Sequence, residues 1–273
     1  MTSPGRAASG EPDVLLLDLE LLAGPLLALA ARHDILSDDE LAWLPLPVSG
    51  PVSGPVSGPV SAGSETAAQP RYRQAVRVAL RLLLRAAGAR QPFRTTLART
   101  AQGKPMLPPG EPAFNISHTG HHALIVIARA GPVGVDLETT RTIRIAGPRR
   151  ALLDAAACAL ANENGVALDE NRRLLIGWTA IEAVAKALGS GVGQVLTELG
   201  ITAAGARTLS ADQVADRARR LATSAGLRVL VPAMPAGLHA AIALPASWQL
   251  SSVVVRPLEA ADCRLRLNAP APA

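Results

Sequence analysis

The chain predicts an α+β fold in which helices pack on largely antiparallel sheets. Strand-like runs such as Ala123 to Ala128 and Leu238 to Leu244 stand apart from long helical stretches at 71–87 and 169–188. The strands come in close pairs joined by turn residues, as at Gly131-Pro132, which favours hairpins over crossovers. The 273 residues are 49% hydrophobic, enough for one large domain or two small ones. Aromatics make up only 2%, so Leu, Val and Ala must fill the core.

Val14 to Leu17 reads as the first strand. Ser37 is placed to cap a short helix through Asp38, Asp39, Glu40 and Trp43, whose acids suit the first turn. Val48-Ser49-Gly50-Pro51 then repeats as Val-Ser-Gly-Pro up to Pro59, and such sequence buries too little apolar surface to order itself. A disordered insert over about 45–70 is expected, together with a disordered leader over 1–13. Residues 71–87 predict a helix ended by Gly88. Its arginines at 73, 77, 81 and 85 form one i,i+4 stripe, which alone describes a solvated face. Gly103-Lys104-Pro105 marks a turn. Gly131-Pro132 is expected to fold the 123–128 strand back as a hairpin onto a strand carrying Asp136 and Glu138, which alternation places on one face. Residues 169–188 form the second clear helix, with Trp178, Ile181, Ala185 and Leu188 on an apolar stripe. Thr179, Glu182 and Lys186 make a polar stripe beside it. Gly189 and Gly191 stop this helix. A helix over 212–225 and strands at 227–231 and 238–244 follow.

The net charge is +5 and the isoelectric point about 10.2. The chain has no Lys/Arg run, zinc-finger spacing or aromatic–basic interleaving, so nucleic acid is not the expected partner. Asp18, Glu20 and Pro25 interrupt the apolar stretch 14–31, which argues against a membrane span. The first 13 residues lack the pattern of a signal peptide. Cys158 and Cys263 fit no disulfide framework. A cytoplasmic monomer is expected.

Two acidic segments carry the chemistry. Gly134-Val135-Asp136-Leu137-Glu138 offers two carboxylates from a strand. Trp178-Thr179-Ala180-Ile181-Glu182-Ala183-Val184-Ala185-Lys186 adds Glu182 and Lys186, neighbours on a helix. Packed together, three carboxylates and an ammonium can hold a hard divalent cation against a polyphosphate. The segment Phe114-Asn115-Ile116-Ser117-His118-Thr119-Gly120-His121-His122 has no zinc-ligand spacing and no G-x-S-x-G elbow. It reads as a loop whose Ser117 and His118 donate hydrogen bonds to an anion.

The order of these pieces is more specific than any one of them. An Arg-rich helix, Gly-Lys-Pro, Phe-Asn-Ile-Ser-His-x-Gly, Gly-Val-Asp-Leu-Glu and Trp-x-x-x-Glu-Ala-x-x-Lys-Ala-x-Gly-x-Gly follow one another. This series resembles the Sfp-type 4′-phosphopantetheinyl transferases from about 14 to 245. The resemblance implies transfer of the phosphopantetheine arm of coenzyme A to a serine of an acyl or peptidyl carrier protein of fatty acid, polyketide or nonribosomal peptide biosynthesis. It implies a pseudo-dimer of two similar α+β halves, about 14–130 and 131–250, with the active site between them and a tail over 251–273. Asp136, Glu138 and Glu182 are implied as magnesium ligands, Glu182 and Lys186 as the catalytic pair. Ser117, His118, Lys104, Arg77, Arg73, Asp136 and Lys186 are implied contacts of coenzyme A. The family's lysine immediately before the helix glutamate is Ile181 here, which the helical wheel assigns to the core. The competing readings are a magnesium-dependent nucleotide phosphohydrolase and a catalytically weak module that binds coenzyme A or docks a carrier.

Overall fold

Short apolar strands and longer helices follow one another in a mixed α+β arrangement with several sheets. The computed structural model describes residues 11–42, 68–143, 147–161, 170–201, 209–248, 250 and 252–268. Most of the expected leader and of the Val-Ser-Gly-Pro insert lies outside these residues. In chain order the elements are β1 (Asp13–Asp18), α1 (Leu19–Ala30), α2 (Asp38–Ala42), α3 (Gln69–Ala86), β2 (Ala98–Arg99), β3 (Pro105–Met106), β4 (Ala113–Thr119), β5 (His122–Ala128) and β6 (Gly134–Thr139). They continue with α4 (Gly147–Ala161), α5 (Glu170–Leu188), α6 (Val192–Leu199), α7 (Ala211–Ser224), β7 (Leu227–Leu230), β8 (Leu238–Pro245), β9 (Val255–Pro257) and α8 (Ala260–Asn268). No helix among the described residues is long and apolar enough to cross a membrane.

One sheet has the order β4-β5-β1-β9 and another β6-β8-β7; β2 and β3 form a separate ribbon. Strand alternation divides the apolar residues of the two larger sheets between three clusters. Leu15, Leu17, Phe114 and Ile125 face α1 and α3. Ala241, Ala243 and Val229 face α4, α5 and α7. Val14, Leu124 and Val126 of the first sheet meet Val135, Leu137, Ala240 and Ile242 of the second. Part of the 251–273 tail joins the first sheet: β9 runs parallel to β1, with Val14 opposite Val255, and Arg256 pairs with Asp13.

Three expectations need correction. The strands flanking Gly131-Pro132 do not form a hairpin, because β5 pairs with β1 and β4 while β6 pairs with β8. Burial gives the reason. Leu124, Ile125, Val126 and Ile127 are all buried, so β5 is flanked on both edges and has no edge left for β6. The real hairpin joins β4 to β5, with Thr119 opposite His122. The Ser117-His118 segment is therefore strand rather than loop. Third, the arginine stripe of α3 is not uniformly solvated. Arg81 is wholly buried, bonding Glu40 at 2.9 Å, the Pro92 carbonyl at 3.0 Å and Ser37 Oγ at 3.3 Å. A guanidinium there is tolerated because its donors find partners.

Gly134 sets how closely β6 approaches α5. A Cβ at this position would lie 2.0 Å from the Ala183 carbonyl oxygen and 2.4 Å from the Ala187 nitrogen. Only glycine lets the strand that carries Asp136 rest against the backbone of the helix that carries Glu182 and Lys186.

Candidate functional site

β6 projects Val135 and Leu137 into the inter-sheet core and Asp136 and Glu138 toward α5, as strand alternation requires. On α5, Glu182 and Lys186 lie one turn apart and face the strand. Lys186 Nζ donates to Asp136 Oδ1 at 2.6 Å and to Ser117 Oγ at 3.0 Å, and it lies 3.7 Å from Glu182 Oε2. Ser117 Oγ donates to the same Asp136 oxygen at 2.8 Å. A β4 hydroxyl, a β6 carboxylate and an α5 ammonium thus close a ring at the junction of the two sheets.

Asp136 is almost fully buried; its Oδ2 has no amine, amide or hydroxyl partner among the described residues, and the Glu182 carboxyl lies within hydrogen-bond reach of the group. Glu182 lies beside it. Burial, then the neighbouring Asp136 charge, pushes the Glu182 carboxyl up to about 7, against the pull of Lys186. An orphaned carboxylate oxygen and a second carboxyl destabilised by its like charge fit a hard divalent cation, which takes oxygen ligands and relieves that repulsion. Glu138 is engaged elsewhere: Arg141 holds both its oxygens, at 3.0 and 3.2 Å. Asp136, Glu138 and Glu182 therefore do not form a closed triad. Among the described residues, the one group of three acidic, histidine or cysteine side chains whose ligand atoms all lie within 4.8 Å is Asp18, Glu20 and His121, at the far end of β1.

The implied coenzyme A contacts divide into two sets. Ser117 is buried in the ring. His118, next along β4, points to the opposite face and is exposed. Its imidazole is held below its usual value by partial desolvation and then by the charges of Arg73, Lys186 and Arg77. This places His118 in a cationic neighbourhood with the α3 arginines. Arg73 is exposed and Arg77 half-buried. Lys104 follows the β2–β3 turn and donates to the carbonyls of Val133 at 2.9 Å and Ala187 at 3.5 Å. Burial pushes its ammonium down to about 8. Its bonds tie the start of β6 to the last turn of α5.

Two neighbours were given no role by the sequence. His239 lies opposite Glu138 on the β6–β8 ladder and meets Thr140 Oγ1 at 2.9 Å. It borders a cleft of about 550 Å³ that is also lined by Asn171, Arg172, Ile176 and Met234. Asn115 accepts the Val135 N–H at 2.9 Å. Pairings across about a hundred residues, as for Glu138 and His239, leave no local pattern. Ile181 is wholly buried, as the helical wheel places it. Thr179 leaves the polar stripe: it is buried and donates to the Ile176 carbonyl at 2.8 Å. No protein-family model matches this chain, and no curated protein matches it.

Proposed function

We propose that this protein is a magnesium-dependent 4′-phosphopantetheinyl transferase that moves the phosphopantetheine arm of coenzyme A to a carrier-protein serine. The observation that carries the reading is the convergence of Ser117, Asp136, Glu182 and Lys186. These residues come from three separate motifs and meet within hydrogen-bond or ion-pair distance. The strand orders add support. β4-β5-β1 and β7-β8-β6 are the same arrangement: a strand, then helices, then a hairpin whose second strand pairs back with the first. That repetition is what a pseudo-dimer with its site at the junction requires.

In this reading the serine Oγ attacks the pyrophosphate phosphorus that bears the pantetheine arm. A new P–O bond forms, and the bond to the bridging oxygen breaks. Adenosine 3′,5′-bisphosphate leaves with the electron pair. Asp136 and Glu182 would hold magnesium, which neutralises charge on the phosphate oxygens when bound; Glu138 joins them only by loosening its bond to Arg141. Glu182 is also the candidate to take the serine proton, directly or through a water. Lys186 stabilises the departing charge, and Ser117 keeps both Lys186 and Asp136 in place. Arg73, Arg77 and His118 present positive charge to the nucleotide end. The net charge of +5 suits an acidic carrier domain.

The test is the mass of a panel of carrier proteins incubated with coenzyme A and magnesium. The wild-type chain is expected to add one phosphopantetheine, and Glu182→Gln to abolish the gain while remaining folded. Release of the bisphosphate without any carrier would instead identify a phosphohydrolase. A full mass gain with Glu182→Gln removes Glu182 from its role.

A further inference from the structure

We infer that Asn115 is a positioning residue for Asp136: its side chain stands in for a missing strand ladder and sets where Asp136 presents its unpartnered oxygen. The inference rests on the reading of Asp136 as a metal ligand.

β4 is the outer strand of one sheet and β6 the outer strand of another, and the two lie alongside each other without a main-chain ladder. Two unpaired strand edges meeting in the interior leave donors that need partners. Val135 is wholly buried, and its N–H is taken by Asn115 Oδ1 at 2.9 Å. Two residues along β4 on the same face, Ser117 grips the Asp136 carboxylate. The spacing of alternate side chains on β4 thus matches successive attachment points on β6.

The consequence is geometric. Gly134 presses β6 against the α5 backbone and fixes its depth. The ladder to β8 fixes the register of β6 within its own sheet, and the two polar bonds from β4 join it to the facing strand edge. Ser117 holds Oδ1 directly. Asn115 holds the backbone one residue earlier, so it governs the orientation of the whole Asp136 side chain, including Oδ2, without touching a ligand. Asn115 is itself buried at 7% exposure, which leaves its amide little freedom to reorient.

The test uses the full chain and Mn²⁺ as the probe, followed by calorimetry, with thermal unfolding as a fold control. Asn115→Leu keeps the shape and removes the acceptor. It is expected to weaken Mn²⁺ binding roughly 10-fold, the scale of losses from residues that orient a metal ligand. Asn115→Gln keeps a neutral amide acceptor and is expected to retain more Mn²⁺ affinity than Asn115→Leu, a difference that a purely space-filling role would not give. Asn115→Ser, too short to reach Val135, carries the same expectation as Leu if the Leu variant does not fold. Wild-type affinity in the Leu or Ser variant overturns the inference and leaves the transferase reading standing. Asn115-dependent Mn²⁺ binding with no carrier modified by the wild type overturns the transferase reading alone. A wild-type chain that binds no Mn²⁺ either alone or with coenzyme A present overturns both.

Discussion

β1 and β6 occupy equivalent places in the two strand arrangements, and they have become very different strands. Each is the first strand of its unit, and each pairs antiparallel with the second strand of a hairpin. Each carries an acid opposite a histidine near its C-terminal end, Asp18 with His122 and Glu138 with His239. The free edge makes the difference. The outer edge of β1 is closed by the parallel strand β9, and Val14, Leu15 and Leu17 along it are buried apolar residues. The outer edge of β6 has no strand partner, and Asn115 and Ser117 supply polar groups there instead. Where the ladder is complete the strand is core. Where it is missing, buried polar side chains become necessary, and a carboxylate can be held among them. Asp18 meanwhile is used locally, capping α1 by accepting the Glu20 N–H at 3.0 Å.

This contrast can be broken at several points. The largest effect is expected from Gly134→Ala. The new Cβ would strike the backbone of α5, which cannot move aside as a flexible side chain can. A loss of about 3 kcal/mol in chemical denaturation is expected, at the upper end of overpacking costs. Wild-type stability in this variant would mean that β6 and α5 are not in close backbone contact.

Next comes the pair Asp136→Asn and Asp18→Ala. Asp136→Asn is expected to cut carrier modification at least about 100-fold, since several kcal/mol of charge stabilisation depend on the metal it would hold and each tenfold is about 1.4 kcal/mol. Asp18→Ala is expected to cost about 1 kcal/mol of stability through the lost cap, with transfer unchanged. Equal losses of activity in the two would erase the distinction between the strands.

The smallest effect concerns Lys104. Burial holds its folded-state value at about 8, below the ordinary 10.5 of a lysine. Between these values the unfolded chain binds more protons than the folded one, so the Lys104 contribution raises stability as pH rises from about 8 to 10.5. Below 8 both states are protonated and the burial penalty is complete. Lys104→Met is expected to lack this rise, seen as a difference in pH slope between wild type and variant in denaturation series across that window. Parallel slopes would place the Lys104 ammonium in solvent rather than on the Val133 and Ala187 carbonyls.

The elements that build the site could largely be read in the sequence because their periodicities are local. Alternation in Gly134 to Glu138 and the i,i+4 spacing of Glu182 and Lys186 each need only a few neighbouring residues. Ile181 was assignable to the core for the same reason. The β4 strand was hidden because Asn115, Ser117 and His118 make it look like a polar loop. Those polar residues are there because β4 faces another strand edge, which no local window reveals. The Gly131-Pro132 turn signal was real but ambiguous: the chain turns there, yet it passes into another sheet. Arg81 looked like the rest of its stripe until Glu40 and Ser37, some forty residues away, came to meet it.

The pairing of β9 with β1 also bears on how the chain must come together. Val14 waits for Val255, so the two residues in register are separated by nearly the whole described chain. Contacts of such long sequence separation are slow to form, because the intervening chain must first be brought to order. Until then β1 carries a naked edge with Val14 to Leu17 along it, the kind of surface that recruits strands from other molecules. Once in place, Val255 to Pro257 close that edge and remove it as a template for strands of other molecules.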